Sequence, residues 1–333
     1  MVTMPRNPWY NPDKPHHTRS GFCNPPGSPT RPPLSAEVAR EAAHFAGELL
    51  RLAGKNPLPP DHVLPEDEAL NGYRAAGDQD KILWLGHASF LIQLDGVTLL
   101  TDPYLTDYAS PLPSRSTKRL VPPAVAIARL PPVDCILVSH NHYDHLDTRA
   151  LERLAARFGQ AQVVVPLGLK SLLQKQGFSQ VTELDWYADV KAASCRVTAL
   201  PAIHMSRRGM FDLNKTLWCG FSLESEKRRI YFAGDTAYGP VFREIGDHFD
   251  GFDLGLVPIG AYQPRTLMSS VHTTPEEAVQ IGEDIGARRL IGMHWGTIRL
   301  TTEPMMEPKE RFLAANTHVP CGVLRIGETL TLF

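Results

Sequence analysis

The chain has 333 residues, a net charge of −2, 43% apolar and 21% charged residues. That balance is ordinary for a globular protein with a substantial core, as one large domain or two smaller ones, and it offers no basic field for nucleic acid. The five cysteines, at 23, 135, 195, 219 and 321, are odd in number and have no paired spacing, which argues against a disulfide framework and for a reducing compartment. No apolar run reaches the ~18 residues of a membrane span, so a cytoplasmic protein is expected, at most peripheral at a membrane.

Residues 1–33 hold nine prolines, which fix φ and remove donors, so an extended arm is expected. It is either a disordered tail or a strap laid across the body, for which Trp9, Tyr10 and Phe22 supply surface to bury. Ser35 caps an amphipathic helix to about Arg51, with Val38, Phe45, Leu49 and Leu52 on one face and Gly54 past its end. Residues 55–76 read as a connector, so the chain divides into an arm plus helix, 1–76, and a body, 77–333. The body opens with strands at 82–85 and 88–94, a hairpin at Asp95-Gly96, and a strand at 97–100. A polar, proline-punctuated stretch then runs to Pro132. Helices are expected over 148–158, 168–176, 241–248 and from Pro275 to about 285, with strands at 162–165, 181–184, 196–200, 254–258 and 289–292. Hairpins are expected at 217–233 and at 323–333. Two rounds of strands then helices suggest an α+β protein, two sheets face to face with helices outside, a four-layer αβ/βα sandwich.

The segment Val138–Asp147 carries His140, His142, Asp144 and His145, four metal-ligand types in six positions. The apolar run Cys135–Val138 before it reads as a buried strand, so the cluster begins at a sheet edge. Four such side chains cannot all reach one tetrahedral ion without strain, so two adjacent ions are expected. Imidazole suits zinc, and the carboxylate also admits iron or manganese. A histidine-rich surface turn is the alternative. His204, Asp235 and His294 each follow a β-rich segment and should converge on this cluster. One ion would then take His140, His142 and His204, the other Asp144, His145 and His294, with Asp235 between them. His87, Asp102 and Asp147 fall where residues orienting the imidazoles belong, although Asp147 reads equally well as a helix cap.

Gly86-His87-Ala88, Thr101-Asp102-Pro103, Ser139–Asp147, Phe232–Thr236 and His294–Thr297 resemble the metallo-β-lactamase superfamily. Pro166–Gly168, Glu183-Leu-Asp-Trp186, Pro258–Tyr262, Pro264-Arg265, His272 and Pro275–Ala278 resemble, more narrowly, the N-acyl-phosphatidylethanolamine-hydrolysing phospholipase D family. The resemblance covers nearly all of residues 80–300 and, through Phe22-x-Asn24-Pro25, part of the arm. It implies the metallo-β-lactamase fold, two zinc ions, release of phosphatidic acid and an N-acylethanolamine, a homodimer, and an apolar groove admitting a phospholipid. Met205-Ser-Arg-Arg208 departs from the aromatic residues expected beside His204, and 108–123 matches loosely.

Two cations side by side would lower the pKa of a shared water and hold the phosphoryl oxygens of an in-line displacement. Asp144, Asp235 and His272 are the catalytic candidates. Arg265, His272 and Tyr262 are the substrate candidates, Tyr262 also fitting a purely structural place. The competing reading is a soluble hydrolase on the same site, a sugar-phosphate lactonase or small phosphodiesterase. A metal-binding regulatory protein without turnover is the third.

Overall fold

The computed structural model describes residues 7–332. The arm forms a two-residue-per-strand hairpin, β1 (His17–Thr18) and β2 (Gly21–Phe22), and then the helices α1 (Ala36–Leu52) and α2 (Glu66–Ala75). The first half of the body contains β3 (Lys81–Gly86), β4 (Ser89–Leu94), β5 (Val97–Thr101), β6 (Cys135–Leu137), α3 (Thr148–Phe158), β7 (Gln162–Pro166), α4 (Lys170–Lys175) and β8 (Gln180–Leu184). The second half contains β9 (Asp189–Ala192), β10 (Cys195–Leu200), β11 (Gly220–Glu224), β12 (Arg229–Phe232), α5 (Val241–Phe249), β13 (Leu254–Pro258), α6 (Arg265–Met268), α7 (Pro275–Asp284), β14 (Leu290–Met293), α8 (Glu307–Ala314), β15 (Cys321–Gly322) and β16 (Thr329–Thr331).

Two seven-stranded sheets result, in the orders β16-β3-β4-β5-β6-β7-β8 and β15-β14-β13-β12-β11-β10-β9. In each, antiparallel hairpins give way to a parallel half, β5 to β8 and β12 to β15. Every residue of β6, β13 and β14 is buried, as expected of parallel strands covered on both faces. Both sheets feed one hydrophobic core, as expected of an α+β four-layer sandwich. The C-terminal ends of β3, β5, β6, β10, β12 and β14 are followed within four residues by His87, Asp102, His140, His204, Asp235 and His294, so one edge of the sandwich collects the chemistry.

Two expectations need correction, and one strand, β9, was not expected. The 323–333 hairpin does not form: Cys321–Gly322 pairs with β14 in one sheet, while Thr329–Thr331 pairs with β3 in the other. The chain end thus ties the two sheets together. The connector 55–76 contains α2, whose Ala69, Leu70 and Tyr73 are buried against the body; its acid-rich first turn, Glu66-Asp67-Glu68, masked the apolar stripe. Strand β9 is short and polar enough to pass for a loop.

Helix α1 starts where Ser35 accepts a hydrogen bond from the Val38 amide, but none of its residues is buried. Its stripe of Val38, Phe45, Leu49 and Leu52 is only half-covered, and it lies beside α6 and the Arg115–Thr117 turn. The described part of the arm is held against the body: Lys14, His16 and His17 all reach Asp185, and Lys215 donates to the Ser20 carbonyl. Among the described residues no helix is long and apolar enough to cross a membrane.

Leu256→Ala, at a fully buried position of β13, should cost about 2–5 kcal/mol by chemical denaturation. Leu50→Ala on α1, 71% exposed, should stay within about 0.5 kcal/mol. Equal losses would place α1 in the core.

Candidate metal centre

The loop after β6 is shaped before any ligand arrives. Ser139 donates its amide and hydroxyl to Asp102, at 2.7 and 2.6 Å, and Asp102 Oδ2 lies 2.6 Å from His145 Nδ1. This buried carboxylate orients His145 and points its Nε2 inward. His204 is oriented likewise, its Nδ1 lying 2.8 Å from the Val271 carbonyl. His87, Asp102 and His294 all have positive φ, at 56°, 33° and 61°. Such strain in non-glycine residues persists where surrounding structure over-determines it, typically at functional sites. Gly234 (φ 60°) precedes Asp235 because a Cβ there would lie 2.7 Å from Ser139 Cβ.

All seven expected ligands meet in one buried cluster. On one side His142 Nδ1 lies 2.8 Å from His140 Nε2 and 3.1 Å from His204 Nε2. On the other, Asp144 Oδ2 stands 3.6 Å from both His145 Nε2 and His294 Nε2. Asp235 faces both: Oδ2 is 3.7 Å from His204 and 3.2 Å from His145, and Oδ1 is 3.1 Å from His294. His87 Nε2 joins the second group, 3.0 Å from Asp144 Oδ2.

These atoms fit a cation and do not fit one another. His145 Nε2, His294 Nε2 and Asp235 Oδ1 are buried with no hydrogen-bond partner, and buried polar atoms are rarely left so. Burial holds His140 and His204 well below the usual imidazole range, neutral and ready to donate a lone pair. Burial opposes charge at His145 too, but the carboxylates of Asp235, Asp144 and Asp102 outweigh it and hold that ring well above its usual range. Asp235 does the same to His294, raising it to about 9 against burial. Asp235 and Asp144, despite burial, are held well below the carboxylate range, His145 being the first cause in each. The cluster therefore demands positive charge at its centre.

The other sequence candidates divide. His272 is at the rim, its ring 5.2 Å from His204 and 5.5 Å from His294, with Nδ1 buried and unpartnered. Arg265 is not a free cation: it is committed to Glu277 and to the His272 carbonyl, all at 2.9 Å. It sets the His272 segment rather than reaching substrate. Tyr262 is fully buried, donates to Glu307 at 2.7 Å and lies under Arg311, so its place is structural. Asp147 caps α3 through the Arg149 and Ala150 amides and also accepts from Thr106; it touches no imidazole.

Two residues lay in segments that the sequence reading singled out without giving them a role. Arg208 donates to the carbonyls of Asn141 and Leu146, at 2.7 and 2.8 Å, and stacks on Tyr143, whose hydroxyl donates back to its carbonyl. The loop after His204 is thereby locked to the loop of His140–His145. Asn24, in the arm, accepts the His204 amide at 2.9 Å and Trp218 Nε1 at 3.0 Å. Nothing in local spacing marks Arg208. Asn24 lay within the Phe22-x-Asn24-Pro25 segment, which carried no role.

A buried histidine–aspartate cluster at one edge of an αβ/βα sandwich marks a metal centre, and the chain's relatives place it in the class of metal-dependent hydrolases. Residues 98–295 match the β-lactamase superfamily domain. The chain is 42% identical over 302 residues to N-acyl-phosphatidylethanolamine-hydrolyzing phospholipase D 1 of Caenorhabditis elegans, covering 87% of this chain and 83% of that protein. It is 33% identical over 256 residues to a metal-dependent hydrolase of Rubrobacter xylanophilus, 75% of this chain and 96% of that one. A possible metal-dependent hydrolase from Veillonella parvula shares the fold, with a TM-score of 0.64 at 19% identity over 76% of this chain and all of that one. The chain belongs to the metallo-β-lactamase superfamily and, within it, to the family of the N-acyl-phosphatidylethanolamine-hydrolysing phospholipases D.

Arg208→Ala should weaken metal retention against a competing chelator about tenfold or more, the usual loss when a group supporting ligands is removed. Arg207→Ala, at an exposed neighbour, should leave retention unchanged. Equal retention in both would detach Arg208 from the centre.

Proposed function

We propose that this hydrolase is a phosphodiesterase of the phospholipase D type that cleaves N-acyl-phosphatidylethanolamine to phosphatidic acid and an N-acylethanolamine. The observation that carries the reading is the doubled ligand set sharing Asp235, in a chain 42% identical to a relative named for that reaction. His140, His142 and His204 would hold one divalent ion, and Asp144, His145 and His294 a second, with Asp235 common to both. Zinc suits this set, and iron or manganese would also fit. When bound, such ions acidify water and neutralise phosphoryl oxygens.

The protein's own groups do the positioning. Asp102 and the Val271 carbonyl fix His145 and His204, and Asp235 spans the two ligand groups. Asp144, with His87 at 3.0 Å, can accept a hydrogen bond from an attacking water. His272, at the rim with an unpartnered Nδ1, can hydrogen-bond the phosphate or headgroup. A cavity of about 450 Å³ opens at His204 between arm residues Asn24 and Arg31 and body residues Met205 and Ser270, large enough for a polar headgroup. Met210 and Phe211, 78% and 89% exposed on the loop after His204, and the half-covered face of α1 support a peripheral contact with lipid. The homodimer belongs to the same reading, testable by light scattering.

Turnover of N-acyl-phosphatidylethanolamine vesicles, with products read by mass spectrometry, should release both products and stop on chelation. A metal-loaded protein that leaves the lipid intact but cleaves a soluble phosphodiester or lactone would move the function to the small-substrate reading. Asp235→Asn should keep the fold by circular dichroism while activity falls by several orders of magnitude; near-normal turnover with metal bound would refute the ligand assignment. His272→Ala should lower lipid turnover more than hydrolysis of a small chromogenic phosphodiester. Equal losses would assign His272 to the metals or the fold.

A further inference from the structure

The arm carries a second cluster of ligand-type side chains that the candidate centre does not use. His16 and His17, 6% and 8% exposed, meet Asp185 where the chain crosses from β8 to β9 and so from one sheet to the other. His16 Nε2 lies 2.7 Å from Asp185 Oδ1, and His17 Nε2 lies 3.1 Å from Oδ2. The ligand atoms all fall within 4.8 Å of one another. His16 is held in place by stacking on Trp186, with ring centroids 4.1 Å apart.

The other face of His17 decides what this cluster is for. Its Nδ1 lies 2.8 Å from the Trp9 carbonyl and, less closely, 3.2 Å from the Asn11 amide. These two backbone groups pin the Nδ1 edge of the ring and leave Nε2 aimed at Asp185. His16 Nε2, His17 Nε2 and both Asp185 oxygens thus face one another within reach of a single ion, which could replace the ring protons that otherwise lie between them. A ring N–H spent on a backbone carbonyl is how proteins aim a metal-ligating imidazole, and His204 is aimed in the same way by Val271. Lys14 also reaches Asp185 Oδ2, so this carboxylate already draws a cation.

We propose that His16 Nε2, His17 Nε2 and Asp185 form a separate site for one divalent ion of the zinc class, with Lys14 as the competing cation. Two imidazoles and a carboxylate suit zinc, cobalt or nickel, with a remaining position for water. Lys14 is 38% exposed on a flexible stem and can swing to solvent when the ion enters. The ion would clamp the arm rather than act on substrate. Eight residues after His16 the same strap places Asn24 on the His204 amide and on Trp218, and Trp186 donates to the Trp218 carbonyl at 2.7 Å. Binding at the clamp thus fixes the segment that lines the cavity at His204.

The test counts ions. The full-length chain is equilibrated with buffered Zn²⁺, and bound zinc is measured by mass spectrometry for wild type, His16→Gln/His17→Gln, Lys14→Met and Asp235→Asn. The double variant should hold one equivalent fewer than wild type, and its arm should be cut faster by protease. Lys14→Met, which keeps every ligand, should bind that equivalent about tenfold tighter by removing a like charge. Asp235→Asn should lose zinc from the other centre and keep this equivalent, which separates the two sites. Equal zinc in wild type and the double variant, or no tightening in Lys14→Met, would overturn the proposal and leave a plain ion-pair clasp.

Discussion

A buried pair of carboxylates ringed by buried imidazoles is the constraint on which the rest of the molecule depends. Asp144 and Asp235 sit among His87, His140, His145, His204 and His294, nearly all removed from water. An ionised carboxylate costs several kcal/mol to bury unless it is compensated. Some of that compensation is already built in: Asp102 steers His145, Val271 steers His204, and His87 meets Asp144. The remainder is a demand for positive charge that the protein's own protons meet poorly, as the unpartnered atoms of His145, His294 and Asp235 show. The site thus carries electrostatic free energy that a bound cation releases.

That load has to be held by rigid surroundings, and the two parallel half-sheets supply them. Each ligand segment begins within about four residues of a largely buried strand, so its backbone has little freedom to relax away from its neighbours. Cross-ties then join the segments. The Cys219 amide donates to the Ser139 carbonyl, and the His294 amide donates to the His87 carbonyl, each linking one sheet to the other beside the cluster. The left-handed backbone at His87, Asp102 and His294 is tolerated because these ties leave no alternative. The strain and the function therefore occupy the same residues.

Much of this was legible in the sequence because it is written in local pattern. Continuous apolar runs ending in His, Asp or Gly gave away both the strands and the edge at which they stop, and the spacing of His140, His142, Asp144 and His145 made the cluster plain. What escaped was set by tertiary context. The acidic first turn of α2 hid a buried stripe, and the last eleven residues look like a hairpin only if one ignores that each sheet has an unfilled edge. Arg265 and Tyr262 are polar residues near glycines and prolines in the chain, but Glu277 and Glu307, distant in sequence, claim them first. A side chain's partner decides its role, and partners 12 or 45 positions away leave no local trace.

The arm shows the same logic from the opposite direction. Its prolines deny it a helix or a central strand, so it can become ordered only through side chains that reach the body. Phe22 enters the core, Asn24 satisfies the His204 amide, and His16 and His17 close on Asp185. Each contact also serves the body: without Asn24, the His204 amide would lose its acceptor and the Trp218 indole one of its two, the Ala202 carbonyl being the other. The wall of the cavity at His204 is therefore made by a segment that has no fold of its own. It follows that the shape of that cavity depends on how firmly the arm is held, and the clasp at Asp185 is the place where that firmness is set.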